Sequence, residues 1–240
     1  MAYKRKKYTF RNAIEVEEFH SARYGAPGEK REKKKKATPE QIARQNQRNK
    51  EKRCRRKLRA HFDVNDYFVD LTYAKDARPP DMEIAKKHFQ KFMRTVRKEY
   101  SKRGQKLKWI RNIEVGKRNA WHIHLVINRI PDTDIIIRKA WEHGRVANVL
   151  LYDKGEFRDL AAYITKTPET DKSLVQTSYW TSRNLPIPEP KEEILKGKTW
   201  KEEPYVPKGF YLDKETYHAG INPVTGYPYR SYTLLRIKRE

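Results

Sequence analysis

The sequence predicts an α+β fold: a ferredoxin-like split βαβ core with an antiparallel sheet over residues 61–170, between basic N-terminal and C-terminal extensions. Three observations lead to it. The hydropathy pattern between residues 66 and 166 changes period in the order strand, helix, strand, strand, helix, strand, helix. Two stretches, 66–73 and 121–128, alternate in the manner of half-buried strands. The charge also changes at Phe62. Residues 1–60 hold 21 Lys or Arg against 7 Asp or Glu, so more than half of the net charge of +24 lies in the first quarter of the chain.

The N-terminal extension, residues 1–60, contains the solvated run Lys33-Lys34-Lys35-Lys36, followed by Thr38-Pro39-Glu40-Gln41. Thr38 suits a helix cap, Pro39 the first helical position, and Gln41 the closing residue of a capping box. The helix should reach about Leu58. It has almost no apolar stripe and so cannot fold by burial alone. The segment is either a solvated tail or a phosphate-binding arm that orders on nucleic acid. Charge density favours the second, because counterion release drives such binding. Lys33, Lys34, Lys35, Lys36, Arg53, Arg55 and Arg56 are its candidate DNA contacts.

In the core, the strand at 66–73 is followed by Pro79-Pro80-Asp81, which breaks the chain and offers Asp81 as a cap. Ile84, Phe89, Phe92, Met93, Val96 and Tyr100 then recur at helical spacing up to Gly104. Residues 107–115 read as a strand. Gly116-Lys117-Arg118-Asn119 reads as a turn whose Lys117 and Arg118 can meet phosphate. Residues 121–128 form the next strand. Pro131-Asp132 opens a short helix through Trp141, ended by Gly144. A strand at 146–152 and a helix at 156–166 complete the unit. Its helices should share one face of the sheet, leaving the other open for a site.

Residues 171–240 read as an extension packing on the core. Trp180, Arg183 and Asn184 lie in a stretch that either stacks on bases or packs its rings inward. Residues 186–190 read as an extended linker, and 227–237 as a terminal strand that docks back. No Gly-rich phosphate loop is present, so any helicase would be a host protein.

The composition narrows the class. The chain has 240 residues, 37 % hydrophobic and 36 % charged, with 8 Phe, 5 Trp and 15 Tyr. It is polar but too aromatic for full disorder. No apolar run is long enough for a membrane span, and the N-terminus lacks a secretory segment. A single cysteine, Cys54, excludes an internal disulfide and a multi-cysteine zinc site. A cytoplasmic protein drawn to polyanions is expected.

The stretch Trp121-His122-Ile123-His124-Leu125-Val126-Ile127-Asn128 carries the chemistry. Alternation puts Trp121, Ile123, Leu125 and Ile127 on one face and His122 and His124 on the other. If Glu114 of the preceding strand stands opposite His122, then Asn112, Glu114, His122 and His124 share the open face. A one-residue slip would bury the Glu114 charge, so burial selects this register. Two imidazoles and a carboxylate suit Mn²⁺ or Mg²⁺ with open positions, and zinc could also occupy the set. On the last helix, Phe157, Leu160, Ala161 and Ile164 form the buried stripe, with Tyr163 on its flank. Tyr163 is either a half-buried packing residue or a nucleophile. A phenol with a pKa near 10 attacks poorly at neutral pH. A metal on the scissile phosphate and the nearby Lys166 ammonium would make attack feasible. Asp159 either orients Lys166 or forms a surface pair.

Phe68-Val69-Asp70-Leu71-Thr72-Tyr73, His122-Ile123-His124 and Tyr163-Ile164-Thr165-Lys166 occur in the order of the three motifs of HUH endonucleases. The chain resembles the rolling-circle replication initiators carried by plasmids, prophages and integrated elements of Gram-positive bacteria. The resemblance extends to Ala13-Ile14-Glu15-Val16-Glu17-Glu18, Arg23-Tyr24-Gly25-Ala26-Pro27-Gly28, Ser182-Arg183-Asn184-Leu185 and Gly220-Ile221-Asn222-Pro223-Val224-Thr225-Gly226-Tyr227-Pro228. It implies that Tyr163 nicks single-stranded or hairpin origin DNA through a 5′-phosphotyrosine. It also implies that His122, His124 and Glu114 hold Mn²⁺ or Mg²⁺, and that a host helicase and polymerase follow. Other readings are a transposase or relaxase of the same superfamily, or a basic nucleic-acid-binding protein without catalysis.

Overall fold

The computed structural model describes residues 3–20, 37–152, 156–195, 200–222 and 226–237. Lys33, Lys34, Lys35 and Lys36, the 23–28 segment, Gly155 and residues 223–225 lie outside them. In chain order the elements are β1 (Tyr3–Thr9), β2 (Ala13–His20), α1 (Pro39–His61), β3 (Tyr67–Thr72), α2 (Met82–Lys102), β4 (Trp109–Gly116), β5 (Trp121–Ile127), α3 (Thr133–Ala140), β6 (Val146–Leu150), α4 (Arg158–Thr165), β7 (Leu174–Thr181), β8 (Lys191–Leu195), β9 (Phe210–Ile221) and β10 (Pro228–Arg236). They make an α+β fold with two five-stranded antiparallel sheets. The chain divides into two compact units, Asn49–Pro186 and the combination of Met1–Arg48 with Ile187–Glu240.

The sheet of the Asn49–Pro186 unit has the order β6-β3-β5-β4-β7. Without β7 this is the 4-1-3-2 arrangement of a split βαβ unit, and β7 extends it along the free edge of β4. The Asp81 carboxylate caps α2 by accepting from Ile84 N at 2.8 Å. Gly104, at φ +65°, follows the last turn of the helix. From α2, Phe89, Phe92, Met93, Val96 and Tyr100 meet Val69, Leu71, Ile113, Ile123, Leu125 and Ile127 of the sheet. The fully buried Tyr100 keeps its hydroxyl satisfied by donating to Asn128 O at 2.6 Å. Ile136 and Ile137 of α3 close the same layer.

Helices cover both faces of this sheet, not one. On the second face Ile110 and Val126 pack with Phe157, Ala161 and Ile164 of α4 and with Cys54 and Leu58 of α1. The expected start of α1 is present: Gln41 N donates to Thr38 Oγ1 at 3.2 Å, and Thr38 N donates to Gln41 Oε1 at 3.0 Å. Its last turns dock where the sequence offered almost no stripe. Cys54 and Leu58 are fully buried, and polar contacts supply the remainder. Lys57 Nζ donates to Thr181 Oγ1 at 2.6 Å, and Arg59 Nε donates to Glu156 O at 2.9 Å. Arg56 is buried as well, whereas Arg53 is exposed and Arg55 partly so.

Gly144 does not terminate α3, which ends at Ala140 with Trp141 as its C-cap. It permits a close backbone approach instead. A Cβ at Gly144 would stand 2.2 Å from Thr72 O, 2.7 Å from Ala74 N and 2.9 Å from Tyr73 C.

The other unit's sheet has the order β8-β1-β2-β10-β9. Residues 3–20 are therefore two paired strands and not a solvated tail. Ile14, Val16, Tyr232 and Leu234 form its apolar cluster. Basic β1 lies against acidic β2, with Arg5 opposite Glu18 and Lys6 opposite Glu17. The fully buried Glu18 takes Arg5 Nη2 at 2.6 Å and also bonds Arg230 of β10. Arg230 Nη1 further donates to Lys201 O at 2.7 Å and Glu202 O at 2.9 Å. The segments that read as separate terminal extensions thus contribute strands to one sheet, and the 227–237 strand is β10, paired with β2 and β9.

The Gly144 contact predicts that Gly144→Ala lowers stability by about 1–3 kcal/mol, because backbone atoms have to move apart. Urea unfolding followed by circular dichroism measures this. An unchanged midpoint would mean that the approach of Thr72 and Gly144 is not maintained in solution.

Candidate active site

Strand alternation and register assemble the site. β5 pairs β4 with Glu114 opposite His122 and Asn112 opposite His124, the register that burial selects. β5 also pairs β3, which sets Asp70 opposite His124. Four side chains from three adjacent strands therefore share one face. α4 lies over that face and carries Tyr163.

His124 is central. Its Nε2 lies 2.7 Å from Glu114 Oε1 and 3.2 Å from the Tyr163 hydroxyl, and its Nδ1 lies 3.4 Å from Asp70 Oδ1. His122 Nδ1 is 3.5 Å from the same Asp70 oxygen. Lys166, the C-cap residue of α4, places Nζ 3.1 Å from Glu114 Oε1 and 4.4 Å from the centre of the Tyr163 ring. Phe68 stacks on His124 and meets the Tyr163 ring edge-on. Asp159 pairs with Arg158 at 3.1 Å on the surface, while Lys166 takes Glu114 and, at 3.9 Å, Asp171.

Nε2 has room for one proton. The short contact to Glu114 makes it the donor there, so Tyr163 Oη faces an N–H edge and an ammonium. Both favour a phenolate over a phenol. The surroundings oppose that charge. Burial, followed by the Glu114, Asp70 and Asp171 carboxylates, pushes the Tyr163 phenol up to about 12. Burial also acts to raise Glu114, but the bond from His124 and the charge of Lys166 outweigh it, leaving this carboxyl below its usual range. Asp70 is likewise held low, its burial overcome by His122, His124 and Lys166. The bond to Asp70 raises His122 against its own desolvation.

Among the described residues no group of three or more His, Cys, Asp or Glu side chains forms a metal-holding set. The donors form a chain of ion pairs. Their chemistry still fits a divalent cation: Asp70 Oδ1, Glu114 Oε2 and His124 Nδ1 are buried without a hydrogen-bond partner. Both amide atoms of fully buried Asn112, on the same face, are also unpartnered. Beside the cluster, Phe68, Leu151, Phe157, Leu160 and Tyr163 line an apolar cavity of about 350 Å³ with exposed Val149 and Tyr152 at its rim.

The structure thus brings Glu114, His122, His124, Tyr163 and Lys166 together. It adds Asp70, which sequence reading left as a strand residue. The split βαβ order sets the first strand beside the third, and an acidic residue in an otherwise apolar strand was the signal available. Of the candidate DNA contacts, Lys117, Arg118, Arg183 and Asn184 are exposed on loops, and Trp180 is 62 % exposed on β7. None of them joins the cluster.

Residues 66–168 match the family model of the replication-associated protein ORF2. The matched segment is under half of the chain and contains every residue of the cluster. No curated protein and no solved structure matches the chain. The match supports a replication initiator protein with DNA as its partner. Among the described residues, no helix is long and apolar enough to cross a membrane.

The ion-pair chain predicts a stability window. Asp70 and Glu114 have lowered pKa values, so their contribution is present above the unfolded carboxyl range, near pH 4, and is lost as pH falls. His122 has a raised value, so its contribution is complete below the unfolded pKa of about 6.5 and is lost as pH rises through the folded value. In EDTA, the stability gap between wild type and His122→Gln should be widest near pH 5.5 and shrink toward pH 8.5. Urea midpoints across that range test this, and a gap independent of pH would exclude a charged His122–Asp70 pair.

Proposed function

We propose that the chain is a rolling-circle replication initiator of the HUH type, which nicks and rejoins single-stranded origin DNA with Tyr163 as its nucleophile. The observation that carries this reading is the approach of the Tyr163 hydroxyl to His124 Nε2, 3.2 Å away, under an ammonium 4.4 Å from the ring. This happens at a buried cluster of two imidazoles and two carboxylates, within the segment that matches replication-associated proteins.

Tyr163 Oη attacks the phosphorus of the scissile phosphodiester, and the bond from phosphorus to the 3′ oxygen breaks. The products are a 5′-phosphotyrosine and a free 3′-OH. The phenolic proton passes to water, since Tyr163 is 43 % exposed. One phosphodiester replaces another, so no nucleotide cofactor is consumed, and attack by the 3′-OH reverses the step. Lys166 and the His124 N–H stabilise the phenolate as it forms. Glu114 holds both of these groups by one oxygen, at 3.1 and 2.7 Å. His122, His124 and Glu114, together with Asp70, are the residues that would hold a divalent cation, Mn²⁺ or Mg²⁺. When bound, such an ion polarises the phosphate oxygens as a Lewis acid. The apolar cavity beside Tyr163 is suited to a base flanking the scissile phosphate, with Phe68 and Phe157 as its walls.

The test is a denaturing gel of protein incubated with Mn²⁺ and a pool of single-stranded oligonucleotides from the element's origin. The expected result is a covalent protein–DNA band that is abolished by EDTA and by Tyr163→Phe. Lys166→Met should slow its formation by about 10²–10³-fold, with partial recovery in Lys166→Arg. Undiminished adduct in Tyr163→Phe would reject this nucleophile. Intact DNA binding without any adduct would favour a non-catalytic role.

A further inference from the structure

We infer that a groove on the opposite face of the same sheet, between α2 and the β4–β7 edge, is a second binding site for single-stranded DNA. The inference rests on the same reading of the chain as a handler of single-stranded DNA, but not on the nicking step.

Strand alternation separates the two sites. On β4, Asn112 and Glu114 face the catalytic cluster, while Trp109, Arg111 and Ile113 face α2. Beside Arg111 the α2 layer opens into a groove of about 860 Å³. Its walls include Phe89, Arg94 and Arg97 from α2 and Trp109, Arg111 and Trp180 from the sheet. Lys86 lies at one end. Arg94 and Arg97 are exposed, and no carboxylate lines the groove among the described residues.

Arg111 is the informative group. It is 7 % exposed, and its guanidinium sits 5.2 Å from the centre of the Phe89 ring. Nη1 donates to Ser178 O and, at 3.1 Å, to Ser178 Oγ, while Nε is buried with no partner. Neutral oxygens therefore satisfy part of the guanidinium, and no carboxylate pairs with it in the groove. Burial pulls its pKa down to about 10, as expected for a cation lacking a counter-charge. An anion entering the groove would supply that charge.

The aromatic content selects the anion. Trp180 is 62 % exposed on the edge strand and offers an indole face beside the guanidinium groups. Phosphates on arginines with bases on aromatic rings is how single strands are held without sequence readout. An acidic peptide would use the charges and leave Trp180 without a role. The volume falls within the range of ligand sites and is enough for a nucleotide or two. A strand lying here would be held by the same sheet that holds the nicked strand, on its other side. Departing single strand could then be retained after cleavage.

The experiment uses full-length Tyr163→Phe protein, which cannot form the adduct, and a bromodeoxyuridine-substituted 12-mer of single-stranded DNA without origin sequence. After ultraviolet crosslinking, mapped peptides should carry the label on β7 at Trp180 or on α2. In anisotropy titrations, Trp180→Ala should weaken binding about five- to tenfold. Arg94→Gln with Arg97→Gln should weaken it by a similar factor and flatten the salt dependence by one to two counterions. Lys87→Gln with Lys98→Gln, on exposed parts of α2 outside the groove, serves as the charge control and should change affinity less than twofold. Crosslinks confined to other segments, or equal losses in the two double variants, would overturn the proposal. So would Trp180 fluorescence that responds to a polyglutamate peptide but not to the oligonucleotide. A failed nicking assay leaves this result standing, and a failed crosslink leaves the nicking reading untouched.

Discussion

The register of β5 between β3 and β4 is the constraint on which the catalytic unit depends. Every other residue of these three strands points to the α2 layer, where Val69, Leu71, Ile113, Ile123 and Leu125 are fully buried. The residues between them carry Asp70, Asn112, Glu114, His122 and His124. A slip of one residue on any of the three would exchange the two sets. Apolar side chains would then lose their core, and carboxylates would enter it without partners. Core burial and site geometry are thus one choice, made by the hydrophobic effect and expressed as chemistry on the opposite face.

Placing so many polar groups on a covered face carries a cost that the cluster offsets internally. Two carboxylates face two imidazoles and one ammonium. Glu114 takes His124 and Lys166 on a single oxygen, and Asp70 faces both histidines. The compensation is incomplete, since several polar atoms of Asp70, Asn112, Glu114 and His124 lack partners. Buried groups in that state are poised for something that enters the site, and they cluster where Tyr163 reaches the sheet. The phenol itself is disfavoured as an anion by its carboxylate neighbours. Reactivity at Tyr163 therefore depends on added positive charge, whether from Lys166 or from a bound cation.

The basic side chains of the chain serve several different ends. Arg5 and Arg230 neutralise the buried Glu18 and help to hold a sheet. Lys57 and Arg59 dock the end of α1 on the face shared with α4. Lys166 belongs to the catalytic cluster. Arg94, Arg97 and Arg111 line a groove on the other face of the catalytic sheet without any carboxylate. Net charge gives no hint of this division, because it counts groups without regard to what each one meets. The +24 balance points to a polyanion, and only placement distinguishes the cations available to DNA from those already used in folding.

Local pattern alone determined much of the catalytic unit. The Thr38 capping box, the Asp81 cap, the α2 stripe and the Glu114–His122 register all depend on residues a few positions apart or on a tight hairpin. Such short-range preferences are legible because few alternatives compete with them. Tertiary structure decided the rest. Asp70 joined the site only when β3 paired with β5, far along the chain. α1 acquired a buried face from two small contacts and several polar ones, which no periodicity records. The strands β1 and β2 carried too much charge to resemble buried strands, yet Glu18 lies in a core because Arg5 and Arg230 reach it from neighbours at opposite ends of the chain. Pairing over such distances depends on which surfaces meet, and that is a property of the folded chain rather than of any segment within it.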